Sequence, residues 1–572
     1  MNIKAPWLKH YGDIPHNLDY PDCGLADLVL LTAEKYPDIA AYDFFGCKKS
    51  YHDFAEEIKQ CARGLVAVGV KREQRVTICM PNTPQGVIMF YALNYIGAIA
   101  NMIHPLSAPE EIVRFLNSGK STAIFTLDQF SDTVEEVLPR TGAKTLFLCG
   151  IEDGLSGIKK PLYRLTKGRK IKRKPTGGNI IRYNDILARG VDGADGTDGD
   201  DDYKASAKGN DIAAILYSGG TSGTSKGILL TNKSINALAL QTDAASQCVK
   251  AGNKMLAIMP IFHGFGLGVC IHTTYVAGGT AILVPQFSIQ TYADLLKKYK
   301  PHYIAGVPTL FEALLRLRNI NKLDMSQLQG VFSGGDSLSI ELKRKLDTFL
   351  KERGSSEQVR EGYGLTECVS ASCLTPRNFH KEGSIGIPYP DTYYKIVEPG
   401  THNEVPYGTE GEIVLTGPSL MKGYDDNADE TALALQTHAD GHTWLHTGDL
   451  GLMDEDGFIY FRQRIKRMIV SSGYSIYPTQ VENAIEAHDK VLISCVIGVP
   501  DEYRKQIVKA FIVLRDGQTA TDEIKESILE HCRKNIAKYA MPRLFEYRDS
   551  LPRTLVGKVA YLELEKEESQ KM

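Results

Sequence analysis

Apolar and polar positions repeat in one rhythm through the first four-fifths of the chain: a short β-rich run, a turn, then an amphipathic stretch of helical length. Residues 75–80 are β-rich and precede the most apolar stretch, 86–103. Residues 213–218 lead into a glycine-rich loop, and 256–260 into a His-Gly turn. Residues 303–308 are followed by helical 309–317, and 331–335 by amphipathic 337–353. Such βα alternation predicts an α/β fold of helix-covered sheets, with loops at strand ends carrying the site. The stretch 86–103 is near the minimum length for a membrane span. Its Asn94 and Asn101, and the His-Pro that follows, predict a buried core helix instead, so any membrane association is expected to be peripheral.

After Arg464 the rhythm changes. Helix-like 478–488, strand-like 492–499 and 508–514, and helix-like 522–537 form a unit small enough to fold alone. The expected division is an N-terminal domain 1–462, a hinge at 463–466 and a C-terminal domain 467–572. Two segments interrupt the first domain within a charged insertion at about 152–206. The segment from Lys159 to Lys174 holds nine Lys or Arg in sixteen residues, and 192–202 is an Asp/Gly run. The acidic run lacks the Asp spacing and central glycine of a calcium loop and reads as a solvated linker. The basic segment carries Ile158, Leu162, Tyr163, Leu165 and Ile171. It reads as an exposed insertion, with docking on an anionic membrane surface as the alternative.

Composition narrows the class. The chain has 572 residues, 43% hydrophobic and 24% charged, which is ordinary for a globular protein long enough for more than one domain. A net charge of -3 argues against a nucleic-acid partner. Eleven scattered cysteines without a CxxC pair read as reduced thiols of a cytoplasmic protein, and no secretory h-region opens the chain.

The richest segment is Tyr217-Ser218-Gly219-Gly220-Thr221-Ser222-Gly223-Thr224-Ser225-Lys226-Gly227. Glycines allow tight turns and expose backbone N–H groups, hydroxyls add donors, and the lysine adds a point charge. Together they suit a polyphosphate. The segment is not a Walker A loop, because Ser225 and Gly227 flank the lysine. A Gly/Ser hairpin is the competing reading. Downstream follow Glu361-Gly362-Tyr363-Gly364-Leu365-Thr366-Glu367, then Trp444-Leu445-His446-Thr447-Gly448-Asp449, Arg464-Ile465-Lys466, and Leu551-Pro552-Arg553-Thr554-Leu555-Val556-Gly557-Lys558.

In that order, from about residue 40 to 561, the motifs resemble the adenylate-forming superfamily of acyl-CoA synthetases, aryl-CoA ligases, luciferases and peptide-synthetase adenylation domains. The resemblance implies a large N-terminal domain of helix-covered sheets and a small mobile α+β C-terminal domain. It also implies ATP and CoA as co-substrates and Mg²⁺ as cofactor. It assigns Thr221, Ser222, Gly223, Thr224 and Lys226 to the β- and γ-phosphates, Tyr363 and Gly364 to adenine, Thr366 to the α-phosphate and Glu367 to Mg²⁺. Asp449 and Arg464 would hold the ribose, and the backbone of Gly334 and Gly335 would line adenine and acyl chain. Lys558 would be the catalytic lysine, Lys466 the hinge, and Ser472 and Gly473 the wall of the pantetheine tunnel. Each role suits its chemistry: a flat π face for a purine, hard oxygens for Mg²⁺, and a long ammonium arm for a carboxylate meeting a phosphate.

His263, in Pro260-Ile261-Phe262-His263-Gly264-Phe265-Gly266, matches the family's acyl-pocket gate. No acid lies within 257–271 to pair with a substrate ammonium, which disfavours an amino acid. Residues 306–311, 361–368 and 545–549, and the opening Pro6-Trp7-Leu8-Lys9-His10-Tyr11, look closest to bacterial long-chain fatty acid–CoA ligases. The expected reaction is fatty acid, ATP and CoA to acyl-CoA, AMP and pyrophosphate. Medium-chain, aryl or bile-acid CoA ligases, or a former of acyl-adenylates that loads a carrier protein, are the alternatives. The expected protein is a monomer or homodimer, cytoplasmic or peripheral at the inner face of the membrane.

Overall fold

The computed structural model describes the whole chain except residues 1–2, 172–177, 193–202, 218–224, 318–319, 321–322, 473, 555–556 and 572. Among the described residues, two large mixed sheets carry the first domain. One has nine strands and is parallel through its middle, where Lys254–Ala257, Tyr303–Gly306, Gly330–Ser333 and Val359–Tyr363 run side by side. The other has eight strands around the parallel set Arg75–Cys79, Ile99–Met102, Ala123–Leu127 and Thr145–Cys149. A five-stranded antiparallel sheet joins them and contains Thr443–Met453 and Ile459–Arg464.

The apolar stretch 86–103 is not one helix. Helix Pro84–Tyr95, opened by Pro84 and capped by the Thr83 hydroxyl, is buried at every position. Gly97, at φ 72°, then turns the chain into strand Ile99–Met102. Both asparagines are hydrogen-bonded inside the core: Asn94 accepts from the Ala26 N–H at 3.0 Å and donates to Asn232 at 2.7 Å, while the Asn101 amide N–H donates to Thr77 at 2.9 Å and its Oδ1 has no partner. No helix among the described residues is long and apolar enough to cross a membrane.

Part of the charged stretch at 152–206 joins the fold, while the acidic run from 193 to 202 lies outside the described residues. Strand Ile180–Arg182 extends the eight-stranded sheet beside Thr145–Cys149, and in the following helix Tyr183 and Ile186 are buried. Four apolar residues suffice for this docking, too few to stand out in a charged stretch. Of the basic segment, residues 172–174 lie outside the described residues. Helix Lys159–Leu165 leaves Ile158, Leu162 and Leu165 exposed, with only Tyr163 packed on the main core.

The C-terminal unit has its own core of Val481, Ile485, Val496, Ile512 and Ile528. Helices Pro478–Glu486 and Asp522–Asn535 pack with the antiparallel strands Val491–Asp501 and Lys505–Leu514 and the parallel strand Leu544–Tyr547. All eleven cysteines are free thiols, ten of them buried.

Candidate active site

The C-terminal ends of strands Tyr303–Gly306, Gly330–Ser333 and Val359–Tyr363 open on a cavity of about 1330 Å³. This is where a parallel sheet presents its loops and backbone N–H groups. Two glycines allow the chain to pass there. Gly335 adopts φ 82°. A Cβ on Gly364 would lie 1.6 Å from the Ser370 carbonyl oxygen, so any side chain would force that turn apart.

Along one wall, antiparallel strands Thr443–Met453 and Ile459–Arg464 place Asp449 directly opposite Arg464. Asp449 is 2% exposed and accepts a 2.7 Å hydrogen bond from the Tyr363 hydroxyl through Oδ2. Its Oδ1 has no hydrogen-bond partner and lies 3.6 Å from Arg464 Nε. Burial pushes this carboxyl up to about 6, against the opposing pull of Arg464 and Tyr363. A buried acceptor oxygen without a hydrogen-bond partner, beside the lining residues Gly448 and Arg464, is available to a ligand hydroxyl.

Opposite, the turn Thr366–Cys368 presents Glu367, whose Oε1 accepts from the Tyr424 hydroxyl at 2.9 Å. Lys226 pairs with Glu430, and its ammonium lies 4.9 Å from the centre of the Tyr424 ring. Lys226, Tyr424, Glu430 and Glu367 thus form one polar cluster on the cavity wall. Lys226 follows a loop at the tip of the antiparallel pair Ile212–Tyr217 and Gly227–Thr231. The loop residues Thr221, Ser222, Gly223 and Thr224 lie outside the described residues.

The lysine of the last motif comes from the other domain. Its loop is docked: Thr309 Oγ1 donates to the Gly557 carbonyl at 2.9 Å, and Arg553 Nη1 donates to the same oxygen at 3.1 Å. Lys558 Cε lies 3.6 Å from where a Cβ on Gly335 would stand, so the glycine leaves room for the lysine stem. Burial lowers the Lys558 ammonium below its ordinary value, opposed chiefly by the Asp336 carboxylate. Asp336 therefore acts on the lysine electrostatically, a partnership the sequence did not disclose.

The cavity is also lined by the apolar side chains of Val249, Met255, Phe265, Val269, Phe332 and Leu374. His263 stands on the same lining, its Nδ1 accepting from the Phe265 N–H at 3.2 Å. Burial drops its pKa to about 3, with the Lys558 charge adding to the effect, so the ring is neutral.

The structure therefore gathers Lys226, His263, Gly334, Gly335, Tyr363, Gly364, Thr366, Glu367, Arg464, Lys466 and Lys558 on one cavity, with Asp449 buried in its wall. Ser472 is elsewhere. It is exposed on the hairpin Ile469–Ser471 and Tyr474–Ile476, adopts φ 51°, and donates its N–H to the Arg504 carbonyl at 2.8 Å. Gly473 lies outside the described residues. Sequence reading missed Tyr424, Glu430 and Thr309, because no local pattern marks them and they reach the site only through folding.

The sequence matches the AMP-binding enzyme family over residues 31–425 and the AMP-binding enzyme C-terminal domain over 480–558. It is 34% identical over 577 residues to a long-chain-fatty-acid–CoA ligase of Bacillus subtilis (strain 168), covering 100% of this chain and 99% of that one. A long-chain-fatty-acid–CoA ligase of Escherichia coli O6:H1 is 31% identical over 99% of this chain and 98% of its own. Among solved structures, the anthranilate CoA ligase AuaEII in complex with anthranoyl-AMP superposes with a TM-score of 0.82 at 21% identity, over 98% of this chain and 100% of its own. ATP-bound MatB from Rhodopseudomonas palustris gives 0.80 at 24%, over 96% and 100%. With the family match spanning well over half its length and a relative alike from end to end, this chain belongs to the AMP-binding enzyme family.

Proposed function

We propose that the protein is a fatty acid–CoA ligase of long-chain preference. It joins a carboxylate to ATP as an acyl-adenylate with loss of pyrophosphate, then transfers the acyl group to CoA with release of AMP. The observation that carries this reading is the lysine loop docked over Gly335, on a cavity lined both by Tyr363 and Arg464, the partners of Asp449, and by apolar side chains. Two anions must meet for this reaction, so cationic and hydrogen-bonding groups fixed in advance are what lowers the barrier.

In this reading Asp449 accepts ribose hydroxyls with Arg464 beside it, and the Tyr363 and Gly364 turn holds adenine. Lys226 and the loop from Thr221 to Thr224 take the departing phosphates, and Thr366 takes the α-phosphate. Lys558 neutralises the charge that develops between carboxylate and α-phosphorus. Neutral His263 borders the acyl chain without bringing a second cation. Glu367 fits a magnesium ion: it is a hard carboxylate oxygen donor held by Tyr424 beside the phosphate cluster, and such an ion often takes one protein carboxylate and substrate phosphates. When bound, the ion would neutralise phosphate charge. Residues 1–462 and 467–572 would be the two bodies, turning about 463–466 so that the Ser472 and Gly473 face replaces the lysine loop for the CoA step.

The test is pyrophosphate release across fatty, aryl and bile acids, with CoA or a holo-carrier protein as acceptor. Long-chain fatty acids with CoA should turn over fastest. Preference for aryl acids would move the substrate assignment, and ADP with phosphate as products would refute adenylation. The exposed Ile158, Leu162 and Leu165 beside the basic run support peripheral contact with the anionic inner face of a membrane. Vesicle binding should then fall steeply with salt, since exposed charges are screened over ~10 Å at 0.1 M.

A further inference from the structure

Three histidines that none of these roles uses converge on the antiparallel sheet. His438 follows strand Leu435–Thr437, His446 lies in Thr443–Met453, and His402 stands in the loop between Tyr393–Val397 and Gly411–Thr416. One ligand atom from each lies within 4.8 Å of the other two. The His402 and His438 rings stack at 4.0 Å, and the His438 and His446 Nε2 atoms are 2.9 Å apart.

The hydrogen bonds fix the lone pairs. His446 Nδ1 donates to Glu412 Oε2 at 3.0 Å, so the neutral ring would present its Nε2 lone pair to His438. The same Glu412 accepts the Gly448 N–H through Oε1 at 3.0 Å, which holds the carboxylate in place. A carboxylate behind a ligating imidazole orients the ring and raises its basicity, the common support of a zinc-type ligand. His438 is buried, and its Nδ1 has no partner. The nearest cation, Lys395, is neutralised by Asp440 at 2.9 Å. His402 is exposed, and its Nε2 donates to Gln436 Oε1 at 2.8 Å, a bond that ligation through that nitrogen would replace.

We propose that His402, His438 and His446 form a transition-metal site for a zinc-class divalent cation, supported by Glu412. Tetrahedral ligands at about 2.0–2.1 Å from a zinc ion stand about 3.3 Å apart, so the His438–His446 pair must open by only about 0.4 Å. On binding, the proton on His438 Nε2 moves to its Nδ1, and the ion takes the place between the two Nε2 atoms. Three ligands leave the fourth position for water, and His446, Glu412 and Gln436 already line the large cavity.

The test is titration of the full-length protein with Zn²⁺ alone, without nucleotide, followed by calorimetry, with Co²⁺ as the spectroscopic stand-in. Wild type should bind one equivalent at this site. His402→Ala, an exposed change that spares the core, should weaken that equivalent more than about tenfold, the least that even loss of an outer partner produces. His438→Gln should do the same. Cobalt should give the visible bands of tetrahedral nitrogen ligation without a thiolate charge-transfer band. An unchanged isotherm in His402→Ala would overturn the site, and so would a thiolate band, which would move the metal to cysteine.

Discussion

Replacing Asp449 with Asn should make the fold more stable and the enzyme worse. The carboxyl is buried, with one oxygen unpartnered, and burial moves its pKa from 3.8 to about 6. At about 1.36 kcal/mol per pH unit, keeping it charged in the folded chain costs about 3 kcal/mol. An acid raised in this way destabilises the fold fully above pH 6, and the effect disappears as pH falls below 3.8. Asparagine can keep the Tyr363 hydrogen bond but places an amide against Arg464, so the net gain should be about 1–2 kcal/mol at about pH 7.5. At about pH 4.5 the wild-type penalty has already fallen to about 1 kcal/mol, so about 2 kcal/mol of the difference between the two proteins should be gone. Denaturation of both at the two pH values measures this. Meanwhile the KM for ATP should rise at least about tenfold, since a hydrogen bond to a charged group is worth about 1.5–3 kcal/mol. A stability difference that does not change with pH would refute the strained, buried carboxylate. A stabilised variant with unchanged KM would show that Asp449 does not hold the nucleotide.

Lys558→Ala should lower acyl-adenylate formation about 10²–10³-fold, the usual cost of one prearranged charge donor, yet still convert supplied acyl-adenylate and CoA to product. Gly473→Leu should do the reverse, and equal losses in both half-reactions would exclude two working conformations. Thr309→Val removes one of two donors to the Gly557 carbonyl, worth about 0.5–1.5 kcal/mol, so pyrophosphate release should slow about 2–10-fold while the CoA step does not. Slowing of both steps would mean that this bond does not favour the docked lysine loop. Glu367→Gln should cut turnover most at limiting Mg²⁺, because an amide does not carry the carboxylate's charge, and turnover unaffected by the change would remove Glu367 from the metal's ligands.

The sequence by itself determined the strands and helices whose patterns are local. Residues 303–308 and 331–335 read as strands from their apolar runs, and the strands Tyr303–Gly306 and Gly330–Ser333 are buried or nearly so, while the helix Ile340–Glu352 buries one apolar face. It also pointed to the expected chemistry, through local motifs such as a glycine-flanked tyrosine and a lysine after glycine. Pattern failed where two elements share one hydrophobicity. Residues 86–103 are apolar but for Asn94 and Asn101, and the turn at Gly97 and pairing with Arg75–Cys79 separate helix from strand. Strand Ile180–Arg182 was hidden in the same way, since an edge strand needs few apolar residues once a sheet is there to receive it. Contacts between distant segments were decided by tertiary structure alone. Asp336 and Lys558, 222 positions apart in sequence, line one cavity, Thr309 holds Gly557, and Glu367 meets Lys226 through Tyr424. The three histidines on the antiparallel sheet are brought together by strand register and a loop, and no spacing along the chain encodes how such elements pack.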